Sequence, residues 1–292
     1  MSDMGKILIL VALLLIAVIF FKNNKEIEGF QQLEKYIHKT GPEIYDEFYA
    51  EIYDYLVFNE HKNEYEITEI IKRTGVSTDS VILDVGSGTG HHVAKLTDRK
   101  INVTGLEQSQ AMIDEAKKAY PDAEFKQGDA LNLDTFHNNT FTHILCMYFT
   151  IYSLSEKRKF FANCFEWLQP GGYLIVHLVD PDDFDPILPP GNPLYVVSPQ
   201  KYAKERIMKT KVTFNDFVYT SNFSLDKDDA IFAEKFTFNN GNVRKQEQNV
   251  KMEHIDIVLK MATDVGFIIA DKVELVKCAY ESQYLYILQK PN

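Results

Sequence analysis

Hydrophobic positions recur along this chain with two different periods. Between residues 43 and 75 they fall at one-, three- and four-residue steps, so that Tyr45, Phe48, Tyr49, Ile52, Tyr53 and Leu56 form one apolar-aromatic face of a helix. A second helix is predicted over 65–74, stopped by Gly75. From Val81 onward, short apolar runs alternate with helical stretches. Strands are predicted at 81–85, 102–106, 124–126, 143–147 and 173–179. Helices are predicted at 109–120, with Ser109 as N-cap and Pro121 as the stop, and at 155–168, closed by QPGG. Such alternation needs a mostly parallel sheet with helices on both faces, because each parallel connection must travel back along the sheet before the next strand begins.

After Asp180 the pattern changes. PDDFDPILPPGNP reads as a proline-rich loop, and AIFAEKFTF and VRKQEQNVKM flank NNGN, whose Asn240-Gly241 pair signals a hairpin. With a third strand over 211–223, these segments predict an antiparallel insert spanning 181–252. A helix at 254–265 and strands at 268–276 and 283–288 return to the main sheet. The predicted fold class is α/β: a doubly wound, mostly parallel, seven-stranded sheet with an antiparallel insert, in one domain over 43–292 whose first part, 43–75, is a helical lid.

The N-terminus differs in kind. Ile7 to Phe21 are fifteen consecutive apolar residues, flanked by Lys6, Lys22 and Lys25. This run predicts an uncleaved N-terminal transmembrane helix, a membrane anchor over 1–22. Its rivals are a cleaved signal peptide, which would want small residues where Ile19, Phe20 and Phe21 stand, and an interfacial helix. The lysine bias places the rest of the chain on the cytosolic side of a single-pass protein. Residues 23–42 act as a linker, and Ile27, Phe30, Leu33 and Ile37 suggest an amphipathic helix over 22–39.

Composition narrows the chemistry. The net charge of −11 over 292 residues, with no basic cluster denser than Lys157 to Lys159, argues against nucleic acid as a partner. Cys146, Cys164 and Cys278 are odd in number and show no C-x-x-C spacing, so neither a disulfide framework nor a metal site is indicated. His91 and His92, adjacent on a helix, diverge by about 100° and make no metal pair either.

The stretch VILDVGSGTG at 81–90 places glycines at 86, 88 and 90 between a strand and a helix, where free backbone N–H groups and missing side chains admit a ligand. A dinucleotide fingerprint wants its third glycine at position 91, which is His91. Together with VTGLEQS at 103–109, FKQGDALNL at 125–133, THILCMY at 142–148 and LQPGGYLIV at 168–176, the loop resembles the class I S-adenosylmethionine-dependent methyltransferases. The resemblance covers roughly 81–179, implies a Rossmann-like sheet, and names S-adenosyl-L-methionine as cofactor. It further implies that Gly86 and Gly88 let the backbone approach the methionine part, that Asp84 orients the loop and helps bind the amino group, that Glu107 accepts both ribose hydroxyls, and that Asp129 and the Ala130 N–H meet the adenine, with Gly90, Gln108 and Met147 also binding the cofactor.

Methyl transfer needs alignment and exclusion of water more than a dedicated nucleophile. Tyr148, His177 and Asp180, at the ends of predicted strands, are the candidates beside a substrate, His177 as a general base or else as a packed strand histidine. The lid face resembles that of small-molecule members, with Tyr49 or Tyr53 expected over the cofactor. The reading is therefore a membrane-anchored methyltransferase for a small-molecule or lipid-like acceptor. The alternatives are a membrane-tethered protein that binds the cofactor without turnover, and a nicotinamide oxidoreductase.

Overall fold

The computed structural model describes residues 35–187 and 198–292. In chain order the strands and helices are β1 (Tyr36–Thr40), α1 (Glu47–Val57), α2 (Glu60–Thr74), β2 (Val81–Val85), α3 (His91–Asp98), β3 (Asn102–Glu107), α4 (Gln110–Ala119) and β4 (Glu124–Gln127). There follow β5 (Phe141–Cys146), α5 (Thr150–Ser153), α6 (Lys157–Trp167), β6 (Leu168–Val179), β7 (Lys209–Thr213), β8 (Phe217–Asp226), β9 (Asp229–Phe238), β10 (Val243–Lys251), α7 (Ile255–Val265), β11 (Ile268–Glu274) and β12 (Gln283–Gln289).

Seven strands form the main sheet in the order β11-β12-β6-β5-β2-β3-β4. Pairs from β6 to β4 are parallel, whereas β12 runs antiparallel to both β6 and β11. Alternate residues of the central strands serve opposite faces. Leu83, Val85, Ile144 and Cys146 pack with Phe160, Phe161, Cys164 and Trp167 of α6 and with Val258 and Ala262 of α7. Ile82, Leu145 and Ile175 pack with residues of α2, α3 and α4, such as Ile67, Val93 and Ile113. The doubly wound reading is borne out, because strands buried on both faces have no polar alternation to keep.

Local signals set the helix ends. Asp46 accepts from Tyr49 N, Asn59 from Lys62 N and Ser109 from Met112 N, which satisfies amide donors in each first turn. Gly75 closes α2 with φ +69°.

A second, five-stranded sheet has the order β1-β10-β9-β8-β7, antiparallel except that β1 runs parallel to β10. The strand expected over 211–223 is two strands joined at 214–216. The end of the helix expected over 22–39 is strand β1, with Tyr36 opposite Val243 and Thr40 opposite Glu247. The unpaired edge of β10 offers a row of backbone groups, and pairing with it outweighs a weak three-to-four-residue periodicity. α1 packs on this sheet: Phe48 makes edge contacts with Phe217, Phe236 and Phe238 at centroid distances of 5.3 to 6.2 Å.

The transmembrane helix drawn over residues 1–22 lies outside the described residues, and no described helix is long and apolar enough to cross a membrane. The fold class is corrected accordingly to the doubly wound sheet with its insert, and the single-pass, cytosol-facing location falls with the helix. The expectation rests on an apolar run of fifteen residues, short of the roughly 20 that span a hydrocarbon core.

Candidate functional site

Chain order and strand order part company between β2 and β5. The chain runs outward through β3 and β4 and then returns to place β5 on the other side of β2. Such a reversal opens a crevice beyond the carboxyl ends of the strands, and the glycine loop sits in it. Gly86 has φ +68°, and a Cβ there would lie 2.6 Å from Thr150 Cγ2, so neither its backbone nor its surroundings tolerate a side chain. Gly90 differs. It has φ +87° and a Cβ would meet the Phe125 ring at 2.5 Å, but it does not line the crevice. A side chain there would also meet Ala116 Cβ at 3.2 Å, so the absence of a Cβ lets the loop pack on β4 and α4.

The loop and the Glu107 carboxylate hold one another. Gly86 N and Ser87 N donate to Leu106 O at 2.8 and 3.1 Å, and Gly88 N donates to Glu107 Oε2 at 3.1 Å. Gln108 N and Ser109 N donate to Glu107 Oε1 at 2.8 and 3.0 Å. A carboxylate has about four lone-pair positions, so roughly one, on Oε2, is left for a ligand.

Asp84 closes the floor. It is 2% exposed, and burial pushes its carboxyl up to about 6, with Glu107 and Glu66 adding to the rise and His92 opposing it. Two buried polar atoms on the same wall, Asn63 Oδ1 and Ser87 Oγ, have no hydrogen-bond partner among the described residues. Unpaired buried groups cost free energy unless something fills the space beside them. Behind them lies a fully paired set: Lys62 Nζ donates to Glu66 Oε1 at 2.5 Å, and His92 Nε2 lies 3.0 Å from Glu66 Oε2. Burial would raise the Glu66 carboxyl, but the Lys62 charge and the His92 contact bring it down to about 2.

Further along the crevice, Gln108, Asp129, Ala130, Met147 and Tyr148 join the lining. Asp129 Oδ1 accepts from Leu131 N at 2.8 Å, and Ala130 is fixed through its carbonyl by Asn163 Nδ2 at 2.9 Å. Tyr148 has φ +51°, a left-handed conformation unusual outside glycine. Its hydroxyl donates to Val57 O at 2.7 Å, and the Lys62 ammonium lies 3.8 Å from its ring centre.

His177 and Asp180 are not brought to the crevice. His177 is fully buried, with Nδ1 2.5 Å from Tyr148 O and Nε2 3.0 Å from Gln283 Oε1. Burial, with the Lys62 charge, brings its imidazole down to about 4, so the ring is neutral at physiological pH. A neutral ring carries one N–H, and both of its nitrogens face protein oxygens, Tyr148 O and Gln283 Oε1. A histidine so occupied holds the strained Tyr148 backbone and has no nitrogen for a substrate. Asp180 is half-buried beside the exposed Asp182 and His254, with Oδ1 accepting from Asp182 N at 3.1 Å. Both positions are strand ends, but strand parity and packing, which the sequence does not reveal, turn them away.

The opposite wall comes from α1 and the insert sheet. Tyr45, Tyr49 and Tyr53 meet edge to face at 5.7 to 6.4 Å, and Tyr53 Cε1 lies 3.8 Å from where a Gly88 Cβ would stand. Glu234 of β9 accepts from Tyr49 OH at 2.9 Å, Tyr219 OH at 2.6 Å and Gln246 Nε2 at 2.6 Å. Tyr45 OH accepts from Gln248 Nε2 at 3.0 Å. Sequence reading misses Asn63, Tyr219, Glu234 and Gln248 altogether. The one available signal for Glu234 is a lone acidic residue inside an apolar strand, AIFAEKFTF.

The two walls enclose one cavity of about 610 Å3, within the roughly 300–1,000 Å3 of cofactor and small-molecule sites. Its carboxylates are Asp54, Asp84, Glu107, Asp129, Asp185 and Glu234, and no lysine or arginine is among its described lining residues.

Residues 82–172 match the family described as "Methyltransferase domain", which bears out the resemblance carried by the sequence motifs. The chain is 28% identical over 140 residues, 46% of its length and 58% of the relative's, to the dTDP-3-amino-3,4,6-trideoxy-alpha-D-glucopyranose N,N-dimethyltransferase of Streptomyces venezuelae. It is 36% identical over 98 residues, 32% and 42% of the two chains, to the demethylmenaquinone methyltransferase of Thermotoga maritima. The chain thus spans about half the length of the curated relatives it matches. In fold it is similar to a crystal structure of an S-adenosylmethionine-dependent methyltransferase from Clostridium acetobutylicum, with a TM-score of 0.62 at 17% identity over 84% of this chain and 98% of that one.

Proposed function

We propose that this chain, which carries a methyltransferase domain over residues 82–172, transfers a methyl group from S-adenosyl-L-methionine to a small-molecule acceptor. The observation that carries the reading is a glycine-lined crevice at the sheet's switch point whose charged wall is acidic throughout. S-adenosyl-L-methionine supplies a methyl group already activated by a positive sulfonium, and a carboxylate-lined cavity favours that cation. The same wall disfavours a dinucleotide, whose pyrophosphate would meet carboxylates and, among the described lining residues, no lysine or arginine. The relatives act on an amino sugar and on a quinone precursor, both small molecules. Here they support a small-molecule acceptor and do not choose its chemistry.

The chain's own residues divide the work as follows. Ionised Asp84, with the unpaired Asn63 Oδ1, takes the cofactor's amino group. Gly86 and Gly88 let the backbone lie against its methionine part. Glu107 takes one ribose hydroxyl, since three amides already occupy the rest of its carboxylate. Asp129 and Ala130 meet the adenine edge, with Gln108 and Met147 on either side. Tyr148, held by His177 and Val57, fixes the floor below the reacting carbon, and the tyrosines of α1 exclude water. Residues 43–292 act as one catalytic domain, with α1 and α2 as its lid and the insert sheet as its acceptor side.

Calorimetric titration of the full chain with S-adenosylmethionine and with NAD, with Asp84→Ala as control, tests the reading. Micromolar binding of the first alone, abolished in the variant, is expected. Binding of NAD in its place, or of neither, defeats it.

A further inference from the structure

Two carboxylates, the buried Glu66 and the half-buried Glu234, are held by hydrogen bonds yet are opposite in their charge balance. Glu66 faces Lys62 at 2.5 Å and His92 at 3.0 Å, so its charge is matched at close range. Glu234 accepts three hydrogen bonds, all from neutral donors: two phenols and a carboxamide. No lysine, arginine or histidine forms an ion pair with it among the described residues. The Arg244 guanidinium reaches only as far as Gln246, which lies between them: Arg244 Nε donates to Gln246 Oε1 at 2.8 Å and its Nη1 is committed to Asp46. Arg206, near Phe184 and Phe223, gives its Nη1 and Nη2 to the carbonyls of Pro181 and Phe184, while its Nε has no partner among the described residues; no ion pair joins it to Glu234.

The surroundings of Glu234 are aromatic. Tyr49 and Tyr219 donate to it, the Tyr45 and Tyr53 rings meet Tyr49 edge to face beside it, and the Tyr49 and Tyr219 hydroxyls are held protonated by burial and then by Glu234 itself. Aromatic faces beside a carboxylate with one lone-pair position left form a receptor for a cation, by charge-assisted hydrogen bonding and by attraction to the ring faces. An anion would meet the Glu234 charge with no compensating lysine or arginine anywhere on the described wall.

We propose that the acceptor is a small molecule carrying a basic amine, and that Glu234, framed by Tyr49 and Tyr219, is the specificity-determining residue that holds its ammonium form. The proposal deepens the methyltransferase reading and rests on it only for what lies in the other half of the cavity.

The test uses the full chain saturated with S-adenosylhomocysteine, and three probes of one shape: cyclohexylamine, cyclohexanol and cyclohexanecarboxylate, titrated by ligand-observed NMR. The amine is expected to bind about tenfold tighter than the alcohol, as one charge-assisted hydrogen bond predicts, and the carboxylate weakest. Glu234→Gln should erase that preference while leaving S-adenosylhomocysteine affinity unchanged. Tyr219→Phe, which keeps the carboxylate and frees a lone pair, should retain it, so a variant that merely misfolds is recognised. A carboxylate that binds as well as the amine overturns the proposal. So does an amine preference that survives Glu234→Gln, or a Glu234→Gln variant that loses S-adenosylhomocysteine instead. If S-adenosylhomocysteine does not bind but the amine does, in a Glu234-dependent way, the cofactor reading fails and the amine site stands.

Discussion

The two walls of the cavity are built on different principles. On the sheet side, the wall is carried by backbone: glycines at a strand-to-helix turn, amides that orient Glu107, and side chains placed at strand ends within a stretch from Asp84 to Tyr148. On the insert side it is carried by side chains that meet from Tyr45 to Gln248, with Tyr49 and Glu234 separated by 185 positions. A backbone site tolerates little variation, because a turn of given φ and close approach admits few residues. A side-chain site can be rebuilt by changing a few residues on a stable sheet, which suits it to choosing among substrates.

The sharpest way to break that contrast is at Gly86. Gly86→Ala forces an L-residue into φ +68° and drives its Cβ to 2.6 Å from Thr150. Cofactor affinity should fall by about 100-fold or more, from a strain of roughly 1–3 kcal/mol plus displacement of the loop. Calorimetry reads the loss, and an affinity near that of the parent would show that the loop does not carry the cofactor.

Next comes Asp84. Its carboxyl holds its proton more tightly in the fold than in the unfolded chain, rising from 3.8 to about 6, so its ionisation works against folding. The penalty is absent below about pH 4, grows as pH rises, and is complete above about pH 6. Asp84→Asn should therefore stabilise the ligand-free protein at neutral pH by about 2–3 kcal/mol, at 1.4 kcal/mol per pKa unit, and leave it unchanged in acid. The same variant should bind S-adenosylmethionine about tenfold more weakly, since it removes the charge that faces the amino group. In the parent, affinity should decline as pH falls through about 6. Denaturation melts at pH 4 and 7.5, paired with titrations, check both arms. A variant that is less stable at neutral pH would refute the idea of a charge held for binding at the expense of the fold.

The smallest effect separates two tyrosines that sequence periodicity treats alike. Tyr53 lies against the glycine loop, whereas Tyr49 is bonded to Glu234. Tyr53→Ala should weaken cofactor binding about fivefold, the value of one aromatic contact. Tyr49→Ala should leave cofactor binding within twofold and lower amine binding instead. Equal effects of both on the cofactor would merge the two walls into one site.

Legibility follows the same division. Asp84, Gly86, Gly88, Glu107, Asp129 and Met147 all line the crevice, and the sequence offers them as candidates because each sits at or just beyond a strand end, a place that short-range pattern reveals. Gly90 belongs to the same motif, yet its reason is the Phe125 ring on β4, which no local pattern contains. His177 shows the converse: its position at the end of β6 suggests chemistry, and only the neighbours Tyr148 and Gln283 show it to be a buried brace. The antiparallel insert is announced by Asn240-Gly241, but that its face would close over the crevice is not.

By itself the sequence determined the alternation of strands and helices from Val81 to Val179, the doubly wound sheet and the glycine crevice, because these depend on residues close together in the chain. Tertiary structure alone decided that β1 joins the insert, that Tyr49 and Tyr219 meet at Glu234, and that this carboxylate forms no ion pair among the described residues. Those outcomes depend on which surfaces meet across more than a hundred residues, and charge balance is a property of that meeting rather than of any segment.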